Sequence, residues 1–394
     1  MFNFVVKEKN TCNKSYYVER LLYNKLGTVK SKIDQNIRKW DHYKKITNNY
    51  EYIHTAVCSK GNSISKLKPL SRSFYKMIEI INVCQLLKNY TNRGLKSFHL
   101  AEGPGGFIEA MCYKRYNTDD KYYGMTLMDT NENVPGWKKS LNFLKKNKNV
   151  TIECGKDGTG NLYKKDNFLY CAKKYRNSMN IITGDGGFDY STNYNDQEEI
   201  SIKLIYSQII YAFAMQKHGG SFVLKVFDIF SKPTIELIFF LMNAYNKVII
   251  SKPCTSRPAN SEKYIICMGF KFHNTSEYDR PLGDLLMKMG EMSSDKNRKI
   301  FSLFSLKIND YHFNHLKEMN VIFVNKQINN ILLTLQFIQN DEQNDDSAKK
   351  KLKRNNILKC INWCSNNKIP YYKNINTNNF TKEDRYSFKY NSFN

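Results

Sequence analysis

The chain of 394 residues is short of acids: 36 Asp and Glu stand against 61 Lys and Arg, a net charge of +25. A deficit of that size points to a polyanionic partner, nucleic acid ahead of an anionic membrane, with the asparagine-rich composition as a second source of the imbalance. Long apolar runs are also missing. No stretch approaches the roughly 18–20 apolar residues that a membrane-crossing helix needs, so no membrane partner is expected. Met1–Asn10 lacks the charged-then-apolar pattern of an export signal, which leads us to expect a cytoplasmic protein. The ten cysteines form no C-x-x-C pair, and Cys360 and Cys364 have no second pair at zinc spacing. They read as reduced thiols, mostly buried, and no metal site is expected. Internal repeats are absent too. What is present, 41% hydrophobic and 14% aromatic residues, suffices for a core and excludes wholesale disorder.

The charge is uneven. Residues 1–60 carry 12 basic and 5 acidic side chains, and residues 341–394 carry 11 and 6, so both ends are denser in positive charge than the middle. Between about Ser71 and Phe270, short apolar runs alternate with helical patterns and glycine turns. Ser97–Ala101, Lys121–Leu127, Asn180–Thr183, Ser221–Phe227, Lys247–Ser251 and Lys263–Met268 read as strands. Glu199–Lys217 has the apolar spacing of a helix, which Gly219-Gly220 is expected to stop. Such alternation predicts an α/β fold, a mostly parallel sheet with helices on both faces. The last two strands are separated only by residues 252–262, too few for a helical crossover, so this hairpin is expected to be antiparallel. After about residue 275 the strands are expected to cease. Leu316 to Ile338 keeps helical spacing, Asp341–Ser347 reads as a polar linker, and Lys349–Arg354 as a basic helix face.

Four segments carry chemistry. Glu102-Gly103-Pro104-Gly105-Gly106-Phe107 is a glycine-rich turn from strand to helix, where backbone and ligand can approach closely. It matches neither G-x-G-x-x-G nor G-x-x-x-x-G-K-[ST], so dinucleotide and nucleoside-triphosphate binding are not supported. Thr183-Gly184-Asp185-Gly186-Gly187 puts a carboxylate at the carboxyl end of a strand, where open sheets bind ligands. Val223-Leu224-Lys225-Val226-Phe227 places a lysine in an apolar strand, which is costly without a partner. Lys252–Glu262 is a polar loop between two strands. Asp185, Lys225 and Glu262 thus lie at strand ends of one sheet, and two carboxylates around one ammonium would hold it. Upstream, Ser71-Arg72-Ser73-Phe74-Tyr75-Lys76 opens a helix and adds a second lysine.

In this order, Lys76, Asp185, Lys225 and Glu262 resemble the Lys-Asp-Lys-Glu tetrad of the FtsJ-like (RrmJ-type) 2′-O-ribose methyltransferases. Gly124-Met125-Thr126-Leu127, Asp157-Gly158-Thr159-Gly160, Asp185-Gly186-Gly187-Phe188 and Ser256-Arg257-Pro258-Ala259-Asn260-Ser261-Glu262-Lys263-Tyr264 strengthen the likeness. It looks closest to the mRNA cap methyltransferases of eukaryotes and of large cytoplasmic DNA viruses of the asfarvirus and mimivirus kind. The resemblance implies a Rossmann-like fold that binds S-adenosyl-L-methionine, with helical additions at both ends. It divides the chain into a basic extension (1–65), a methyltransferase domain (66–275), an accessory helical region (276–340) and a basic helix or tail (341–394).

The implied activity is methyl transfer to a ribose 2′-hydroxyl of RNA, that of the first transcribed nucleotide of capped mRNA. Uncapped or other RNA is an alternative substrate, and a catalytically silent RNA-binding subunit an alternative role. Lys76, Asp185, Lys225 and Glu262 would be catalytic, with Asp185 and Glu262 both holding Lys225. Glu102, Gly103, Gly105, Gly106, Phe107 and Asp157 would bind the cofactor, and Arg72, Ser256 and Arg257 the RNA. Other capping or transcription proteins are implied as partners. One departure stands out. The family usually places Asp near the end of the first strand, and here that position is His99, with Glu102 at the edge of the turn.

Overall fold

The computed structural model describes residues 3–9, 18–58, 61–91, 93–129, 136–187, 196–273, 279–292, 299–305, 308–340 and 346–372. Phe188, residues 341–345 of the expected linker and residues 373–394 of the expected tail lie outside them. The chain opens with strand β1 (Asn3–Lys9) and helices α1 (Arg20–Asp34) and α2 (Ile37–Ile46). Helix α3 (Ser73–Cys84) leads into the alternating region. There β2 (Lys96–Leu100), α4 (Gly106–Arg115), β3 (Lys121–Met125), α5 (Leu141–Lys146), β4 (Val150–Ile152) and α6 (Lys165–Tyr175) form the first half. The second half is β5 (Met179–Gly184), α7 (Gln197–Met215), β6 (Gln216–Val226), α8 (Lys232–Ala244), β7 (Tyr245–Ser251) and β8 (Lys263–Phe270). Helix α9 (Asp279–Glu291), strand β9 (Lys299–Ser305) and the long helices α10 (Asp310–Asn340) and α11 (Asp346–Asn366) follow.

The main sheet has seven strands in the order β4-β3-β2-β5-β6-β8-β7. All neighbours are parallel except β6/β8 and β8/β7, as the short loop at 252–262 requires. Strands β2 and β5 are buried along nearly their whole length, which fits strands covered on both faces. One core packs α6, α7 and α8 against the sheet through residues such as Phe168, Ile205, Ile209 and Phe240. The other packs α3 and α4 on the opposite face through Phe74, Ile78, Phe107 and Met111. Each such side chain contributes about 1.5–3 kcal/mol on burial. A third, smaller core joins α1, α2 and α10 through Leu26, Trp40, Val324 and Ile331, so the first residues of the chain lean on one of its last helices.

Chain order reverses between β2 and β5, and ligands bind in such sheets outside the carboxyl ends of the strands at that point. Glu102 follows β2 there and Asp185 follows β5. Because β8 runs against the others, its first residues lie at the same rim, which brings Glu262 alongside.

Three expectations need correction. Helix α7 ends at Met215, and Gly219-Gly220 does not stop it but lies inside β6. Gln216 turns the chain directly from helix to extended backbone, and its Nε2 donates to the carbonyls of Met179 (3.1 Å) and Asn180 (3.2 Å). The glycines serve the resulting irregularity: Gly219 has φ +74°, and a Cβ on Gly220 would meet the carbonyl oxygens of Lys217 at 2.8 Å and Asn180 at 2.9 Å. Strands also do not cease at residue 275, because β9 pairs antiparallel with β1. Finally, the cysteines are less buried than expected. Cys171, Cys267, Cys360 and Cys364 are buried, Cys254 is exposed, and Cys58, Cys84, Cys112 and Cys154 are intermediate. Helix α10 does pack as its pattern predicts, burying Leu316, Val324, Ile328, Ile331, Leu335 and Ile338, while Ile322 and Leu332 of the same pattern face solvent. No helix among the described residues is long and apolar enough to cross a membrane.

What fixes β9 is a buried carboxylate. Glu236 of α8 is 1% exposed, and it accepts hydrogen bonds from Ser302 Oγ (2.7 Å), Leu303 N (2.6 Å) and Phe304 N (3.2 Å). Replacing Glu236 by Ala strands two buried backbone donors, and unpaired buried donors cost about 1–3 kcal/mol each. Glu236→Ala should therefore lower the stability measured by urea unfolding by at least about 2 kcal/mol.

Candidate active site

The tetrad residues predicted from the sequence converge, but as two pairs rather than as one lysine between two carboxylates. Lys225, next to last in β6, donates to the carbonyl oxygen of Asp185 at 2.6 Å and lies 3.3 Å from its Oδ1. Lys76, on the first turn of α3, lies 2.7 Å from Glu262 Oε1. All four side chains are between 12% and 15% exposed, so each is largely buried yet keeps some surface accessible. Glu262 therefore pairs with Lys76 and feels Lys225 only through its charge. Burial alone would raise the Glu262 carboxyl, but the charges of Lys76 and Lys225 overcome it and hold the group well below the ordinary carboxylate range. An ammonium has three donors. Among the described residues, Asp185 takes two directions around Lys225 Nζ and leaves one N–H for a substrate oxygen.

Neighbours that sequence reasoning missed set this geometry. Tyr264 faces Lys225 across the β6/β8 ladder, and its hydroxyl donates to Asp185 Oδ1 at 2.8 Å. Burial, with the Asp185 and Glu262 carboxylates nearby, pushes that phenol well above its usual value, so it stays a donor. A Cβ on Gly187 would sit 3.1 Å from Lys225 Nζ, which explains the glycine there. Ser256, expected from the sequence to meet the RNA, is instead buried and donates to Glu262 Oε1 at 2.9 Å, so it positions the tetrad from within the loop.

The loop itself is tied from several sides. Glu79, one turn beyond Lys76, accepts from Cys254 N (2.7 Å), Thr255 N (3.3 Å) and Trp363 Nε1 of α11 (3.1 Å). Gln327 of α10 donates to Ala259 O at 2.9 Å, and Lys252 Nζ donates to Glu262 O at 2.9 Å.

Arg72 and Arg257 are already engaged. Glu51, 1% exposed, receives Arg72 Nη1 at 3.0 Å, Arg257 Nη2 at 3.0 Å and Arg257 Nε at 3.2 Å. Asn48 Nδ2 (2.6 Å) and Thr55 Oγ1 (3.0 Å) complete its shell. Glu51 thereby locks the residue that opens α3 to the loop that carries Glu262. Burial tends to raise its pKa, but the Arg257 and Arg72 guanidiniums lower it to about 2. Both arginines keep about a quarter of their side-chain surface exposed, so they remain reachable while held in place.

Around the glycine-rich turn the predicted residues divide. His99 is fully buried and acts as a strut: Nε2 meets Ser97 Oγ at 2.8 Å and Nδ1 meets Thr183 Oγ1 at 2.8 Å. The acid at this rim is Glu102, 5% exposed, which accepts from Thr183 Oγ1. Its Oε2 lies 3.3 Å from His99 Nδ1 but has no hydrogen-bond partner. Burial raises its pKa. Gly105 takes φ +99° and would meet Trp137 at 3.1 Å if it carried a Cβ. Gly106 faces the Ser71 and Ser73 hydroxyls, and the Phe107 ring packs at 5.8 Å from Tyr264 in the core. These two residues can therefore offer a ligand only backbone groups at the start of α4. Asp157 is partly exposed in the turn after β4, where its Oδ1 caps Thr159 N (2.9 Å) and its Oδ2 pairs with Lys164 (2.7 Å). Lys164 and Thr159 lower its pKa.

A family model described as FtsJ-like methyltransferase matches residues 69–270. The chain is 31% identical over 227 residues to the cap-specific mRNA (nucleoside-2′-O-)-methyltransferase 1 of Trypanosoma brucei brucei, covering 55% of this chain and 57% of that one. It is 32% identical over 218 residues to the cap-specific mRNA (nucleoside-2′-O-)-methyltransferase of Autographa californica nuclear polyhedrosis virus, covering 54% and 78% respectively. With the cap-specific mRNA (nucleoside-2′-O-)-methyltransferase 1 of Mus musculus the figures are 30% over 249 residues, 60% of this chain and 29% of that one. The chain thus spans 57% and 29% of the trypanosome and mouse relatives, and most of the viral one.

Glu51 lies outside the matched residues. At pH 7, Glu51→Gln should destabilise the protein by about 3 kcal/mol, the order set by a carboxyl held at about 2 in the folded protein against its ordinary value. A depressed carboxylate pKa contributes stability above the unfolded value and loses it as pH falls through the folded one. The gap between the two proteins in urea unfolding should therefore close between about pH 4.5 and pH 2.

Proposed function

The chain belongs to the FtsJ-like methyltransferase family, and from that premise we propose that it transfers a methyl group to a ribose 2′-hydroxyl of RNA. We take the target to be the first transcribed nucleotide of capped mRNA. The observation that carries this reading is the Lys225 ammonium, held at the strand rim by Asp185 with one donor left over, beside the Lys76–Glu262 pair. The cap-specific relatives support the choice of substrate.

The residues at the rim suit S-adenosylmethionine. Glu102 Oε2 is a buried carboxylate oxygen without a hydrogen-bond partner beside the glycine-rich turn, the group that receives an ammonium such as that of the methionine moiety. Gly103 and Gly105 would border it, and Asp157 would take the adenine amino group at the far side of the turn. When bound, this cofactor supplies a methyl group activated by a sulfonium charge.

The protein must then handle the nucleophile. A ribose hydroxyl is weakly nucleophilic and almost wholly protonated at neutral pH. Lys225 would donate to the 2′-oxygen and stabilise the negative charge that grows on it as the hydroxyl proton is released to solvent; the new bond from oxygen to the methyl carbon replaces that carbon's bond to sulfur. Asp185 and Tyr264 fix the direction of that donor. The Lys76–Glu262 pair keeps the surrounding charge balanced, so that Lys225 is not the sole cation in a dry cleft. Arg72 and Arg257, oriented by Glu51, face the RNA phosphates.

Removing a preorganised donor to a developing oxyanion costs about 10²–10³ in rate. Lys225→Ala should lower single-turnover methyl transfer to a short capped RNA by at least that factor and leave binding of the cofactor and of the RNA nearly unchanged. Mass spectrometry of the product should place the methyl on the ribose of the first transcribed nucleotide. A methyl on a base, or equal transfer to uncapped RNA of the same sequence, would reject the cap-specific reading.

A further inference from the structure

Helices α2 and α11, the one from the basic first part of the chain and the other from its basic last part, meet beside the opening of α3. Asn356 of α11 donates to Ile46 O of α2 at 2.8 Å, and Lys359 Nζ donates to Asn49 Oδ1 at 3.0 Å, each pair 310 residues apart in sequence. Lys349 Nζ sits 5.5 Å from the centre of the Tyr43 ring, which lays the basic start of α11 over α2. Between these helices and α3 lie two depressions that share Ala56 in their walls. The inner one, about 430 Å³, is lined by His54, Lys68, Ser71 and Arg72, and so reaches the opening of α3, one turn ahead of Lys76. The outer one, about 380 Å³, is lined by Lys45 of α2, Tyr52 and Lys353 of α11.

The walls have the chemistry of a polyanion path. Lys45 and Lys68 are exposed, and Lys353 is half-exposed. The one carboxylate in the wall, Glu51, is already neutralised by two guanidiniums. His54 adds a ring whose Nε2 has no hydrogen-bond partner. Burial, reinforced by the charge of Arg72, lowers its pKa to about 4, so at neutral pH it adds no further cation to the wall. Lys45, His54, Lys68 and Lys353 all lie outside residues 69–270.

We propose that the two depressions form one groove that holds the RNA strand leading away from the reacting nucleotide, with its phosphodiesters against Lys45, Lys68 and Lys353. The inference rests on the reading of the substrate as RNA. It adds that affinity for the RNA body comes in large part from Lys45 and Lys353 of the two extensions, acting together with Lys68 at the edge of the methyltransferase domain.

Deletion of α11 would not test this, because Ile357, Cys360, Trp363 and Cys364 belong to the core. The double variant Lys45→Ala/Lys353→Ala leaves that core intact. For a capped, unstructured RNA of about twenty nucleotides it should bind about tenfold more weakly, and its plot of log affinity against log salt should be shallower by about 1.4, at roughly 0.7 per phosphate contact on a single strand. Methyl transfer to a capped dinucleotide should stay within about twofold of the unaltered protein. Lys45→Arg/Lys353→Arg should retain both the affinity and the slope. Equal losses on the dinucleotide and the long RNA, or an unchanged salt slope, would overturn the groove. If the long RNA binds with the expected lysine dependence but accepts no methyl group, the proposed activity fails and the groove stands.

Discussion

An ammonium at the edge of an apolar sheet has to be neutralised where it stands, and this requirement organises the centre of the molecule. Lys225 rises from a strand whose neighbours are Leu224 and Val226, both buried. Asp185 supplies the balancing charge from the adjacent strand end, and Gly187 leaves room beside the amine, where a Cβ would crowd it at 3.1 Å. The same logic repeats outwards. Lys76 balances Glu262, and Arg72 and Arg257 balance Glu51. Each layer of paired charge fixes the backbone that carries the next. Breaking one buried pair therefore leaves an uncompensated ion as well as a displaced loop.

Much of this was legible in the sequence because it is written in short words. A lysine in an apolar strand, an aspartate between glycines and a long polar loop before a strand are local signals, and the sheet order turns them into neighbours. The antiparallel last hairpin followed from loop length alone. What the sequence hid were contacts between distant segments. Glu51 meets Arg257 across 206 residues, and Glu79 meets Cys254 across 175. A lone Glu in a helix or turn carries no mark of such a partner. Strand β9 escaped for a related reason: it is held by β1 and by Glu236, neither near it in sequence.

The glycine-rich turn shows the limit of reading a motif as a contact list. Gly105 needs its positive φ, but Gly106 makes room for Ser71 and Ser73, and Phe107 fills the core beside Tyr264. His99 likewise reads as a lost acid until its ring is found braced between Ser97 and Thr183, with a buried carboxylate three residues on at Glu102. Three neighbouring residues of one motif thus serve a backbone turn, helix packing and core, and only packing distinguishes them.

Trp363 gives the arrangement an order in time. Its indole reaches back 284 residues to Glu79, the carboxylate that also grips the loop ahead of Glu262. During synthesis the whole sheet has left the ribosome well before residue 363, and domains begin to fold as they emerge. A nascent chain at that stage can hold Lys225 against Asp185, but the loop bearing Glu262 lacks its brace from α11. The bracing of that loop is thereby completed last: Glu51 and Gln327 hold it beforehand, and α11 adds the final tie by fixing Glu79.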